Sequence, residues 1–261
     1  RLWILRILIP LGGLREVIYN NGMSNEHIVQ TLGLIEGSEG FIDADFDAKV
    51  WRARIREMHR DAEKSHQNRE LPGNMAENID RLAALAGLSD TDCRILEFVV
   101  LLHAERILDD TADLLGDICS VKVPSVLAIL LHLPEQDVRS SLSVKGTLSR
   151  SGLITINREG SDRLRNKLNV LSSRFADNII YSDADPVALL RDIVVPGRPT
   201  SLHFDDFTHI EPSLRLLRPY LNHAVAARKQ GVNIFIYGTP GTGKSELSRL
   251  LAHDLGCELF E

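Results

Sequence analysis

The chain has 261 residues, of which 44% are hydrophobic and 25% are charged, and its formal net charge is −6 at pH 7. These proportions are typical of a folded globular protein of one or two domains and exclude a disordered or fibrous chain. The acidic balance gives no overall reason to expect binding to nucleic acid.

Residues 2–11 form the one stretch that resembles a membrane segment. Arg6 and Pro10 interrupt it, and it is far shorter than the run of about 20 apolar residues that a spanning helix needs. We therefore expect a buried helix here and no membrane partner. The three cysteines lack metal-ligand spacing, which predicts reduced thiols in a cytoplasmic protein.

Residues 1–88 predict a helical N-terminal region. Between residues 47 and 66, Trp51 and Ile55 belong to one apolar stripe on an otherwise charged helix. A second helix follows and ends at Gly87, since glycine is the usual residue just past a helix end.

Residues 89–181 predict a second part with a different rhythm. The stretch from Ser89 to Asp92 is typical of a helix N-terminus, and it precedes the most apolar helix of the chain, at residues 95–102. Two more helices are predicted from about Ser125 and Pro134, and then a strand at residues 152–156. Three helices followed by a strand and a turn at residues 159–160 resemble a winged-helix arrangement.

This winged-helix-like part carries a modest excess of basic residues. Residues 134–169 hold four acidic and seven basic residues, a net charge of +3, and the basic ones are Arg139, Lys145, Arg150, Arg158, Arg163, Arg165 and Lys167. Helices of this type can place basic side chains on DNA phosphates. Winged helices also serve as protein–protein modules, and the small excess favours a structural or partner-binding role over DNA binding.

Residues 182–201 predict a linker, because Pro186, Pro196, Gly197 and Pro199 interrupt any regular element. The remaining residues, 202–261, predict a separate part with its own elements. A helix is expected between residues 211 and 231. The run at residues 231–237 is apolar, β-branched and aromatic, as a buried parallel strand should be, and residues 257–260 predict the start of a second strand.

Residues 238–245 read G-T-P-G-T-G-K-S and match the spacing G-x-x-x-x-G-K-[ST] of the phosphate-binding loop. In such a loop the glycines let the backbone fold closely around phosphate oxygens, and backbone N–H groups and a helix N-terminus donate to them. Apolar residues at helical spacing follow, ended by Gly256. The predicted nucleotide-contacting residues are Gly238, Thr239, Pro240, Gly241, Thr242, Gly243, Lys244, Ser245 and Glu246. Lys244 is expected on the β- and γ-phosphates of ATP, and the Ser245 hydroxyl on Mg²⁺.

The sequence around this loop resembles the AAA+ ATPases, specifically the classic AAA branch and its bacterial relatives. That family usually reads G-P-P-G-T-G-K-T, and this chain differs at Thr239 and Ser245, the second of which keeps the hydroxyl. Residues 202–207, L-H-F-D-D-F, resemble the entry to an AAA module. The resemblance implies that residues near Phe207, His209 and Ile210 lie beside the adenine, although Thr208, His209 and Ile210 stand where the family usually has glycines.

The sequence as a whole thus predicts a multidomain protein with a mostly α-helical N-terminal region, a winged-helix-like part, and the start of a P-loop α/β domain. The resemblance implies an ATPase that assembles as a homo-oligomeric ring and remodels a protein or nucleic-acid substrate. In this family the acidic Walker B strand, the sensor residues, the arginine finger and the helical lid follow the second strand. We expect the chain to be a piece of a larger protein that does not turn over ATP by itself, because water activation and charge stabilisation need those parts.

Two other functions remain open from the sequence. The protein could be a DNA-binding regulator that uses ATP as a switch, or a small-molecule P-loop kinase. The AAA-like entry at residues 204–206 disfavours the kinase. The substrate of the motor does not follow from the sequence.

Overall fold

A computed structural model describes residues 1–19, 26–34, 47–65, 71–172, 174–183, 196–229 and 231–260. It divides into two compact units, Arg1–Leu190 and Arg191–Glu261. The unit boundary falls within the predicted linker, whose residues 184–195 lie outside the described ranges. Both units are mostly helical, and their strands are few and short.

The first unit is built from twelve described α-helices, a 3-10 helix at Asp113–Leu115 and four short strands. In chain order the helices are α1 Leu2–Leu8, α2 Leu14–Tyr19, α3 Glu26–Thr31, α4 Ala48–Ser65, α5 Met75–Ala86, α6 Asp90–Ala104, α7 Arg106–Ala112, α8 Val123–Leu131, α9 Glu135–Ser141, α10 Thr147–Arg150, α11 Leu164–Lys167 and α12 Phe175–Tyr181. The strands are β1 Ile118–Cys119, β2 Ile154–Ile156, β3 Ser161–Asp162 and β4 Leu168–Val170.

Helix α6 forms the centre of the core of the first unit. It begins with the predicted capping box, in which the Asp92 N–H donates to Ser89 Oγ at 3.2 Å and the Ser89 N–H donates to the Asp92 carboxylate at 3.0 Å. Phe98 and Leu102 are completely buried, as the apolar sequence predicts. The buried residues of ranges 1–88 and 89–181, predicted as separate parts, form one continuous hydrophobic cluster that runs from Ile4 to Ile180.

Helix α1 is buried, as its apolar sequence predicts. Arg6 lies in the middle of this helix with 2% of its surface exposed. Its guanidinium donates to both carboxylate oxygens of Glu63, at 2.6 and 2.7 Å, and to the Leu130 carbonyl at 2.6 Å. A charge can stay inside a core when it is paired and fully hydrogen-bonded. No helix in the described ranges is both long and apolar enough to cross a membrane.

The four strands of the first unit form two antiparallel pairs. Strand β1 pairs with β3, and β2 pairs with β4 in the register Ile154 to Val170 and Ile156 to Leu168. The predicted strand at residues 152–156 is therefore present as β2, and its connection to β4 contains the predicted turn at residues 159–160. Lys167 is completely buried beneath this connection. Its ammonium donates to the carbonyls of Asn157, Glu159 and Gly160, at 2.6–3.2 Å.

The second unit contains a 3-10 helix, Phe204–Ile210, and two α-helices, α13 Glu211–Ala226 and α14 Lys244–Asp254. Helix α13 is the predicted helix that begins near residue 211. A small core joins the three elements, and its buried members are Phe207, Leu214, Leu247, Leu250 and Leu251.

The predicted strand at residues 231–237 is not formed. This segment has no regular secondary structure, and the side chains of Phe235 and Tyr237 are 86% and 82% exposed. A strand requires a neighbour for its backbone hydrogen bonds, and no described segment pairs with this one. The predicted second strand at residues 257–260 is reduced to a single bridge between Phe260 and Pro196.

Candidate functional site

The loop before helix α14 bends at two glycines. Gly241 and Gly243 have φ angles of +82° and +78°, in the left-handed region that costs other residues about 1–2 kcal/mol. Gly243 is also the N-cap of α14 and supplies no side chain to the helix end. Gly238 also has a positive φ, of +154°, so all three glycines of the predicted motif occupy positions where the backbone conformation favours glycine.

Lys244 folds back across the loop that precedes it. Its ammonium donates to the carbonyl of Gly238 at 3.1 Å and to that of Thr239 at 2.7 Å. Thr242 Oγ1 donates to the same Thr239 carbonyl at 2.9 Å. Lys244 forms no ion pair with a described carboxylate, so its positive charge is held at the loop and is not neutralised there.

The first turn of α14 supplies further donors. The Leu247 N–H bonds to the Gly243 carbonyl at 2.8 Å, and the N–H groups before it have no partner within the helix. The helix dipole places partial positive charge at the same end. Ser245 is exposed, and its hydroxyl makes no hydrogen bond to a described residue. Backbone donors, an ammonium and an uncommitted hydroxyl can together hold an anion and a hydrated cation that accompanies it.

The Glu246 side chain is engaged away from the loop backbone. Its Oε2 accepts a hydrogen bond from Thr200 Oγ1 at 2.6 Å, and its Oε1 pairs with Arg249 at 2.5 Å. The Leu202 N–H in turn donates to Thr200 Oγ1 at 3.1 Å. Both carboxylate oxygens of Glu246 are therefore engaged, and only its backbone N–H can donate to a phosphate. No pattern in the sequence indicates that Thr200 connects residues 200–202 to α14.

Helix α14 is fixed to α13 by an ion pair at its far end. Arg218 binds the Asp254 carboxylate through two hydrogen bonds, at 2.9 and 2.8 Å. The same guanidinium lies 4.0 Å from the centre of the Phe204 ring. Cys257 and Gly256 complete the helix end, where their N–H groups donate to the carbonyls of Ala252 and His253. This is the glycine-ended termination that Gly256 predicts.

Phe207 does not lie on an open surface where a base could stack. It is 3% exposed and belongs to the small core, so its ring offers no open face to a base. That residues near Phe207, His209 and Ile210 lie beside adenine stays a prediction. His209 is exposed, and the centres of the two rings lie 6.3 Å apart. A surface groove of about 680 Å³ lies along the 3-10 helix and α13, but its lining includes no residue of the loop.

The basic residues of the winged-helix-like part are largely committed within the fold. Arg139 pairs with Glu135, Arg163 with Asp117, and Arg165 with Asp109. Lys167 is buried and bonded to carbonyls. The three that are exposed and form no ion pair in the described ranges are Lys145, Arg150 and Arg158. The surface charge available to DNA is therefore smaller than the sequence count predicts.

Comparison with protein-family models, with curated proteins and with solved structures found no match to this chain. Within the described ranges no group of three or more His, Cys, Asp or Glu side chains is placed to hold a metal ion. The functional assignment therefore rests on the loop and on the helix that follows it.

Proposed function

We propose that residues 238–246 bind the phosphates of ATP, and that the chain is the ATP-binding N-terminal portion of an AAA+ ATPase. The observation that carries the proposal is the joint placement of Lys244 and the uncapped end of α14. The Lys244 ammonium lies at the carbonyls of Gly238 and Thr239, and the free N–H groups of the helix start open at the same loop. The G-x-x-x-x-G-K-[ST] spacing predicts this combination.

The residues present fit a triphosphate with Mg²⁺. Gly241 has nothing within 4 Å of the place where a β-carbon would stand, so its backbone is open to a phosphate oxygen. When the anion binds, the Lys244 ammonium would donate to phosphate oxygens instead of the carbonyls of Gly238 and Thr239. These hydrogen bonds would be stronger, because the acceptor is charged. Ser245 would hold Mg²⁺, which neutralises phosphate charge when it is bound.

The AAA+ assignment rests on the resemblance at residues 202–207 and on the elements between that entry and the loop. The 3-10 helix Phe204–Ile210 and helix α13 precede the loop segment, in the order that the resemblance implies. In the proposed full-length ATPase, hydrolysis in a ring of subunits would remodel a protein or nucleic-acid substrate. A role centred on DNA binding is less well supported, because four of the seven basic residues of the winged-helix-like part are paired or buried.

The dependence of ATP binding on Mg²⁺ tests the proposed role of Ser245. We expect Mg²⁺ to strengthen binding of a fluorescent ATP analogue to the chain, and Ser245→Ala to remove most of this gain while binding without Mg²⁺ changes little. Ser248→Ala is the matched control, because the Ser248 hydroxyl donates to the Lys244 carbonyl inside the helix, at 3.1 Å. An equal effect of Mg²⁺ in wild type and Ser245→Ala would contradict the assignment.

A further inference from the structure

Three arginines line a groove in the first unit, far along the sequence from the proposed ATP site. The groove lies between the end of α1, helix α2 and the first half of α4, and its volume is about 490 Å³. Its apolar lining includes the half-buried side chains of Ile9, Leu11 and Ile18, which pack against the main core. Arg15 from α2, with Arg52 and Arg56 from α4, completes the lining. A concave apolar floor with a few polar groups is typical of a binding site.

The three arginines are uncompensated. All are exposed, and none forms a hydrogen bond or ion pair with a described residue. Among the described residues, no acidic side chain lines the groove. Six other arginines of this unit are neutralised by carboxylates, in the pairs Arg6–Glu63, Arg81–Glu77, Arg106–Asp110, Arg139–Glu135, Arg163–Asp117 and Arg165–Asp109. Arg150 and Arg158 are also exposed without an ion pair in the described ranges, but they do not line a groove with the others.

The positions of Arg52 and Arg56 add an energetic argument. They are four residues apart on α4, which makes them neighbours on the helix surface, and like charges at this spacing destabilise a helix. A bound anion would relieve this repulsion. The groove therefore combines a positive rim, without a counter-charge from the described residues, and a half-buried apolar floor.

We propose that this groove binds an acidic peptide segment of a partner protein. A hydrophobic side chain of the segment would cover the apolar floor, and its carboxylates would accept hydrogen bonds from Arg15, Arg52 and Arg56. The planar guanidinium group suits this role, because its N–H donors match the two oxygens of a carboxylate. The proposal does not depend on the ATP site, which lies in the other unit.

The shape and charge of the surroundings favour a peptide over nucleic acid. A duplex binds through phosphates spread over an extended basic surface, and the apolar floor offers nothing to a phosphate.

The test uses the full chain and a short fluorescein-labelled peptide in which aspartate alternates with leucine. We expect saturable binding by fluorescence anisotropy, with a Kd that rises with salt because exposed charges are screened. Replacing the aspartates by asparagine, or the leucines by serine, should each weaken binding. If either altered peptide binds as tightly as the original peptide, the proposed recognition of both carboxylates and apolar side chains is overturned.

A charge-reversal pair locates the binding to the groove. The double variant Arg52→Glu and Arg56→Glu should raise the Kd roughly tenfold or more, since two favourable charge contacts become repulsive. The control is Arg60→Glu with Lys64→Glu, which has the same spacing on the same helix but lies outside the groove lining. Circular dichroism checks that both variants fold alike, and an equal loss of binding in both would overturn the location.

Two further outcomes would assign the groove to a different occupant. Residues 36–45 of this chain contain Glu36, Glu39, Asp43 and Asp45 and no basic residue. If the peptide binds only after these four are changed to glutamine and asparagine, the chain's own segment competes for the groove and the partner assignment is overturned. Tighter binding of a labelled DNA duplex than of the peptide, lost in the Arg52→Glu and Arg56→Glu variant, would overturn it in favour of nucleic acid.

Discussion

The ring of Phe207 fills the space beside Gly243 in which any other residue would place its side chain. A β-carbon on Gly243 would lie 3.2 Å from Cε1 of Phe207, closer than side chains normally pack. Gly243 also has a left-handed φ of +78°. Two constraints therefore restrict Gly243 at the start of helix α14, its own backbone conformation and the Phe207 ring in the core beneath it. The core thereby fixes the position of the loop that we propose binds phosphate.

Gly243→Ala should loosen helix α14 more than Gly256→Ala does. Both positions are left-handed, at φ of +78° and +61°, and share the backbone penalty of about 1–2 kcal/mol. They differ in their surroundings, because nothing lies within 4 Å of a β-carbon at Gly256. Hydrogen exchange of the amides in α14, followed by mass spectrometry, measures the difference. In a Phe207→Leu background the excess effect of Gly243→Ala should shrink, and an unchanged excess would show that the Phe207 ring is not its cause.

The ion pair between Arg218 and Asp254 should hold α13 and α14 together measurably. Its side chains are 41% and 24% exposed, and its two short bonds fix the geometry. A double-mutant cycle with Arg218→Ala and Asp254→Ala should give a coupling free energy of about 0.5–1 kcal/mol, at the upper end for exposed pairs. The Arg215–Glu211 pair, 75% and 56% exposed, should couple more weakly. The readout is again exchange protection in α14, and equal coupling in both pairs would contradict the prediction.

The pair between Arg6 and Glu63 makes the stability of the first unit depend on pH. The hydrogen bonds from the Arg6 guanidinium hold the pKa of Glu63 below its ordinary value. A carboxyl with a lowered pKa in the folded state stabilises the fold above its unfolded pKa, about 4.3, and this contribution is lost as pH falls through the folded pKa. The contribution of this pair to the free energy of unfolding should therefore be fully present at neutral pH and be lost in acid.

Glu63→Gln tests this dependence. At pH 7 the variant should lose about 1.5–3 kcal/mol of unfolding free energy, the range for hydrogen bonds to charged groups, because the buried Arg6 keeps its charge without its carboxylate. The difference from wild type should narrow below about pH 4. Trp51 on the same helix reports urea unfolding by fluorescence, and Glu57→Gln, an exposed position on α4, is the control. A difference that is constant with pH would contradict the linkage.

The elements that depend on local sequence could be predicted. The capping box at Ser89 and Asp92, the apolar helix α6, and the helix that begins at Lys244 and ends before Gly256 all follow from spacing and residue type over a few positions. The loop glycines are of the same kind, since a left-handed φ leaves a direct signature in the sequence. These features need no knowledge of distant residues.

The elements that depend on distant partners could not be predicted from the sequence. Residues 231–237 have the composition of a buried strand, but composition does not supply the neighbouring strand that would bury it. The contact of Phe207 with Gly243 and the bond of Thr200 to Glu246 join residues far apart in sequence, and neither has a sequence signature. The count of basic residues in the predicted winged-helix-like part misled for the same reason, because Arg163 and Arg165 pair with Asp117 and Asp109, about fifty residues earlier in the chain.

ATP binding by Lys244→Ala tests the central proposal most directly. Lys244 is the cation that lies at the loop, and its loss should weaken binding of Mg²⁺–ATP at least about tenfold, since hydrogen bonds between charged groups contribute about 1.5–3 kcal/mol. Lys229→Ala, an exposed lysine in the same unit, should bind as wild type does, and circular dichroism should show the same helix content in all three proteins. Titration with a fluorescent ATP analogue measures the three affinities. Saturable binding that is lost in Lys244→Ala alone is the predicted result, and equal affinity in wild type and Lys244→Ala would contradict the account.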